Sequence, residues 1–354
     1  MMQKRKNSDI VTLPILTMVV AISLFSCGQE QESHAYTQVA ETVLWEDSVS
    51  VRALEIMPGA VAFAGSAGTF GTISLADGQV RVGRQQQDSL YPEFRALAHT
   101  ASDFFMLSAG DPALLYKTGN SGNMELVYSE SGPEVFYDAL AFWNDKEGIA
   151  FGDAQGDCLT LLRTTDGGTS WGKIPCTALP VALPGEGAFA ASDTNIEIWE
   201  DEAWIITTKG RILYSPDRGQ NWSVLQSPIA PEVATQGLYS MDFYEGKYGY
   251  AIGGDYTQPE GNTNNKMRTS DSGKTWEVVA DGNAPGYKSC VQYIPGAGGS
   301  DLVAVGFTGI SYSGDGGLNW KALSESSYYS IRFINDSIAY ASGRGRVSRL
   351  VFRK

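Results

Sequence analysis

With 354 residues, 40 glycines and a net charge of −14, the chain has the length for one large β-rich domain. Its charge has the wrong sign for nucleic acid or anionic lipid headgroups, which are bound by basic surfaces. Two histidines and four cysteines, none at metal-ligand spacing, give no basis for a metal centre or a histidine-based triad, and no metal or cofactor is expected.

Lys4, Arg5 and Lys6 precede an apolar stretch from Ile10 to Phe25, broken by Pro14, with the length of a signal h-region rather than a membrane span. It closes with Leu24-Phe25-Ser26-Cys27, which resembles the bacterial lipobox, where cleavage precedes a cysteine that carries lipid. On that reading residues 1–26 are a lipoprotein signal peptide, Cys27 is the lipidation site and 27–40 form a tether. The alternative is an ordinary signal peptide with an incidental cysteine. Either way the mature chain works outside the cytoplasm, facing the periplasm or on the outer membrane, and the lipid is its contact with the membrane.

From 41 to 354 one frame recurs: an apolar strand, a short polar turn, then a second apolar strand ending in glycine. It runs over 51–65, 94–110, 137–152, around 188–208, 238–254, 290–306 and 330–343. After the third to sixth frames comes an eight-residue phrase: TTDGGTSW, SPDRGQNW, TSDSGKTW and SGDGGLNW, carrying Asp166 and Trp171, Asp217 and Trp222, Asp271 and Trp276, and Asp315 and Trp320. The Asps lie 51, 54 and 44 residues apart, the length of a four-stranded propeller blade. Seven frames predict an all-β, seven-bladed β-propeller.

The phrase is the Asp-box. Its glycines accept positive φ, its carboxylate can take N–H groups of its own turn, and its Trp packs between blades with the indole N–H on a nearby carbonyl. A catalytic carboxylate is needed once and this one is repeated, which argues for a structural duty. The turn after the second frame is eroded, Asn120 and Glu125 standing where Asp and Trp stand elsewhere. The spaced glycines of GSAGTFG (65–71) lead into another strand, Thr72 to Leu75, so no helix N-terminus is there for a pyrophosphate. The last frame stops before its fourth strand, and Thr42-Val43-Leu44-Trp45 resembles that missing strand. The amino-terminal strand is therefore expected to close the ring.

Cys158 and Cys176 flank the turn at Gly167 symmetrically, and in an oxidising compartment they are expected to bridge as a cross-strand pair, with two buried thiols as the alternative. Cys290 reads as a small core residue.

Aligning the frames brings Arg52, Arg95, Asp138, Tyr239, Ser289 and Tyr329 to equivalent positions near the start of the inner strands. Such a ring at the channel mouth would bind an anionic or peptide ligand, Arg giving bidentate contacts and Tyr contact area; alternatively these side chains plug the channel. The longest insertion, 253–267, lies between the second and third strands of the fifth blade and carries Asp255, Tyr256 and Glu260. It is a candidate binding loop or a plain solvated one.

The boxes, the glycine-ended strands and the lipobox together resemble the photosystem II stability/assembly factor-like family of bacterial Asp-box propellers, within the BNR and sialidase-like superfamily and the WD40/YVTN-like ring architectures. The resemblance implies a monomeric, non-catalytic binding or assembly module with a protein or glycan ligand at one face. The competing class is a glycoside hydrolase of sialidase-like type acting on extracellular glycans, or a relative of the Asp-box xyloglucanases. Phe94-Arg95-Ala96-Leu97 is similar to the sialidase Phe-Arg-Ile-Pro motif, but lacks its Pro and falls in the second frame, so no catalytic residue is assigned. An oxidoreductase role, a label some relatives carry, has neither a cofactor fingerprint nor a redox cysteine pair behind it.

Overall fold

The computed structural model describes residues 36–119 and 123–354; the leader, the lipobox with Cys27, and Asn120 lie outside them. Among the described residues every strand pairing is antiparallel, and the strands form six sheets. Five have four strands, each begun by an inner strand: Phe94–His99, Tyr137–Phe142, Ile196–Trp199, Gln236–Tyr244 and Cys290–Tyr293. The sixth has six strands in the order Ser330–Phe333, Ile338–Arg353, Gln38–Met57, Ala60–Gly65, Thr69–Ser74 and Val80–Arg84.

This corrects the expectation of seven separate blades. The first and last frames share one sheet because Gln38–Met57 is a continuous strand: its first part pairs with Ile338–Arg353 from Gln38–Arg353 to Ser50–Arg344, its second with Ala60–Gly65. Strand Ile338–Arg353 doubles back at Gly345 (φ 77°), and Phe352 N–H returns to Ser337 O. The amino- and carboxy-terminal strands are thus neighbours, and their pairing closes the ring. Strand Gln38–Met57 starts ahead of residue 41. Tyr36 is buried and donates its hydroxyl to Asp336 O at 2.5 Å.

The core lies between successive frames. Ala53, Ala62 and Ala64 meet Phe94, Leu97 and Met106; Trp204 and Ile206 meet Met241 and Ala251; Val51 and Phe63 meet Tyr340 and Val347, which joins the first frame to the last. Each strand pair buries one face against its neighbour on either side, so a ring leaves no apolar face exposed.

The four Asp-boxes occupy the turns between third and fourth strands. In each the carboxylate accepts the backbone N–H four residues on: Asp166 from Ser170, Asp217 from Asn221, Asp271 from Thr275 and Asp315 from Asn319, at 2.8–3.0 Å. Trp222, Trp276 and Trp320 donate Nε1–H to Gly219, Gly273 and Gly317 O. Trp171 Nε1 is buried without a partner. Cys158 and Cys176 form a disulfide. It is not the expected cross-strand pair, because Cys176 lies beyond the short strand Gly172–Lys173, in the 3-10 turn Cys176–Ala178. Cys290 is a buried free thiol.

Candidate functional site

Four inner strands carry the same irregularity. A β-bulge falls between Val51 and Ala53, Phe94 and Ala96, Leu238 and Ser240, and opposite the step from Phe151 to Gly152. The bulged residues are Arg52, Arg95, Tyr239 and Asp138. A bulge leaves its extra residue out of the ladder and re-aims its side chain, which is how these positions turn toward one mouth of the ring.

The fourth frame departs from the expected pattern. Gly187–Asn195 is not a strand; it enters the channel, and the inner strand begins at Ile196. This segment bonds to every other frame. Ala191 O accepts from Arg52 Nη1 (3.4 Å) and Ala190 O from Arg95 Nη1 (3.2 Å). Ala188 N donates to Asp138 Oδ2 (3.1 Å), and Met241 N donates to Thr194 O (2.9 Å). Ser192 Oγ donates to Ser289 O (2.6 Å), and Ser330 Oγ to Ser192 O (3.2 Å). The channel is therefore plugged by main chain, with the mouth side chains holding the plug.

Above the plug is a pocket of about 360 Å³. Its floor is Ala188, Phe189, Ala190 and Ala191, and its walls include Arg52, Arg95, Tyr239, Tyr256, Tyr287, Phe307 and Tyr329. The aromatic wall is continuous: Phe189 stacks on Tyr239 (centroids 3.8 Å, 9°), Tyr287 meets Tyr239 edge-on (4.9 Å), and Phe307 stacks on Tyr287 (4.9 Å). Tyr256 and Phe307 are exposed at the rim. Arg52 lies over the Tyr329 ring, 4.2 Å from its centroid.

Of the sequence candidates, Arg52, Arg95, Tyr239, Tyr329 and the loop residue Tyr256 come together here. Asp138 does not: it is fully buried beneath the floor, and burial, then the charge of Asp153, pushes its carboxyl well above the usual range. Ser289 is buried and donates to Tyr329 O. Asp255 accepts from Thr257 and lines a separate groove of about 280 Å³ with Glu232 and Gln258. Glu260 is exposed and outside the pocket lining. Phe189, Tyr287 and Phe307 were missed: Tyr287 and Phe307 lie just outside their frames, and Phe189 lies at the start of the fourth, which is not a strand.

The pocket's electrostatics are one-sided. Neither Arg52 nor Arg95 takes part in an ion pair among the described residues, and no Asp or Glu lines the pocket. Burial, and then the like charge of Arg52, pulls the Arg95 guanidinium below its usual value. An anion between them would relieve both costs. No group of described residues has the make-up to hold a metal ion.

Solved structures share this architecture. The chain matches one described as YCF48 bound to D1 peptide, with a TM-score of 0.63 at 13% identity, over 90% of this chain and 98% of that one. YCF48 from Cyanidioschyzon merolae matches at 0.62 and 11%, over 89% and 98%. The GH74 xyloglucanase from Xanthomonas campestris matches at 0.60 and 14%, over 88% of this chain and 53% of that one. The shared fold is an all-β propeller. At these identities the likeness is one of fold. No protein-family model and no curated protein matches the sequence.

Proposed function

We propose that this protein is a non-catalytic binding or assembly propeller, built on seven sequence frames, whose mouth pocket takes an acidic segment of a partner protein. The observation that carries the reading is the pair of guanidiniums without carboxylate partners inside an aromatic pocket. Paired Arg side chains favour a carboxylate, and Tyr and Phe walls favour the apolar residues beside it. The structurally similar YCF48 is described as binding a D1 peptide, which supports a protein ligand in general. The leader and lipobox support a lipid-anchored, extracytoplasmic location, and the Cys158–Cys176 bridge fits an oxidising compartment.

A sialidase replaces the carboxylate nucleophile with a Tyr but still needs a carboxyl acid/base in the site, and no Asp or Glu lines the pocket. The lining supplies guanidiniums and phenols instead, so binding is the reading it supports. Acidic, neutral and basic peptides titrated against the mature chain by fluorescence anisotropy would test this. Acidic peptides are expected to bind, more weakly as salt rises, and at least tenfold more weakly to Arg52→Gln or Arg95→Gln. Equal binding of all three classes, or turnover of fluorogenic sialosides or a polysaccharide panel, would overturn it.

A further inference from the structure

The plug has a second side. Beneath it, inside the channel, is a cavity of about 200 Å³ whose polar lining includes Glu55, His99, Asp193, Glu197, Gln292 and Arg332. Equivalent inner-strand positions place Glu55, Glu197, Asp242, Gln292 and Arg332 in one layer of the ring. Asp193, at the end of the plug, presses into this layer: its carboxylate accepts Leu97 N (2.6 Å) and Leu140 N (3.1 Å), and its carbonyl accepts Arg332 Nη2 (3.1 Å). Its φ of 58° is a left-handed conformation that non-glycine residues seldom adopt. One short segment therefore floors the binding pocket with Ala188–Ala191 and roofs a carboxyl-rich cavity with Asp193.

We propose that Gly187–Asn195 is a pH-responsive plug, held in the channel when the surrounding carboxyl groups are protonated and loosened when they ionise, so that acidity sets the floor of the mouth pocket.

The charge balance of the layer supplies the force. Asp193, Glu197 and Asp242 share one half-buried cation, Arg332, which also faces Glu55 at 3.7 Å. Arg332 Nη1 additionally reaches Cys290 Sγ at 3.8 Å. His99 bonds to Glu55 at 3.1 Å, with Asp145 beyond it. Of the remaining inner strands, Tyr137–Phe142 presents Leu140, Ala141 and Phe142 to the cavity, none of them titratable. Burial pushes the Asp193 and Glu197 carboxyls well up, with the neighbouring charge of Asp242 adding to Glu197, and burial raises Asp242 to about 7. A plug that lifts admits water, and hydrated carboxyls ionise near 4. Protonation therefore favours the seated plug, and a rise in pH from about 4 to about 7 favours the lifted one. His99, raised by its bond to Glu55, acts in the same direction, because its positive charge is lost as pH rises.

Hydrogen exchange of the mature chain, read by mass spectrometry from pH 4.5 to 8 and corrected for intrinsic rates, tests the proposal without any ligand, so its failure is separate from failure of the peptide-binding reading. The amides of Leu97, Leu140 and Met241, which donate to the plug, and those of 188–195 are expected to lose at least tenfold in protection between pH 5 and 7.5. Strand Leu302–Gly306, away from the plug, is expected to keep its protection. Glu197→Gln with Asp242→Asn should flatten the profile at the protected level. A flat profile in the unmodified chain, or an unchanged slope in the double variant, overturns the proposal. If the double variant does not fold, the unmodified chain's profile decides.

Discussion

Gly273 shows what a single position in the repeated phrase must satisfy. Its φ is 73°, and a Cβ there would lie 2.7 Å from Nε1 of Trp204 in the preceding sheet. Gly168, Gly219 and Gly317 meet Phe105, Trp143 and Tyr250 in the same way. The glycine is thus both turn and inter-sheet contact, and Gly273→Ala should destabilise the fold by about 2–4 kcal/mol, read from urea unfolding. Glu130 accepts from Lys173, Gln155, Tyr128 and Tyr137. Burial alone would raise its carboxyl, but these bonds outweigh it and hold it at about 2. A depressed carboxyl stabilises above its unfolded value and loses that contribution as pH falls from about 4.5 to about 2. Glu130→Gln should therefore narrow the melting difference between pH 5 and pH 2.5; an unchanged difference would dismiss the network as unimportant.

At the scale of elements, the plug and the end strands carry the fold's irregular features. The amino-terminal half of Gln38–Met57 covers the edge of Ile338–Arg353, and Tyr36 fills the core between the last frames. Deleting 36–46 would expose that edge and open the apolar contacts joining frame seven to frame one. The expected outcome is loss of a single cooperative thermal transition, followed by circular dichroism. The Cys158–Cys176 bridge spans 18 residues. Its removal as the double Ser variant should cost about 3 kcal/mol on a loop-entropy basis, measured by denaturant midpoint.

Over the whole molecule, carboxyls with raised values sit in and around the channel, among them Asp153 at about 6 and Asp242 at about 7, both raised by burial. Such groups bind more protons folded than unfolded, so stability declines as pH rises from about 4 to about 7. A melting-temperature profile should peak on the acid side of neutrality, above the range where Glu130 protonates; a maximum above pH 7.5 would contradict the assignment.

Much of this was legible in the chain. The repeat spacing, the Asp-box turn chemistry and the truncated final frame depend on residues close in sequence or on their periodicity, and together they determined a ring closed by its amino-terminal strand. Frame alignment also placed Arg52, Arg95, Tyr239 and Tyr329 at one mouth, because they stand at equivalent steps of their frames, where a bulge re-aims Arg52, Arg95 and Tyr239. Tertiary structure alone decided that the end frames share one sheet, that Asp138 lies under the floor rather than in the pocket, and that Gly187–Asn195 crosses the channel. The plug's partners, from Arg52 to Arg332, are spread over nearly the whole chain. Contacts across the axis of a ring join residues with no common period, and a repeat carries information only about what recurs.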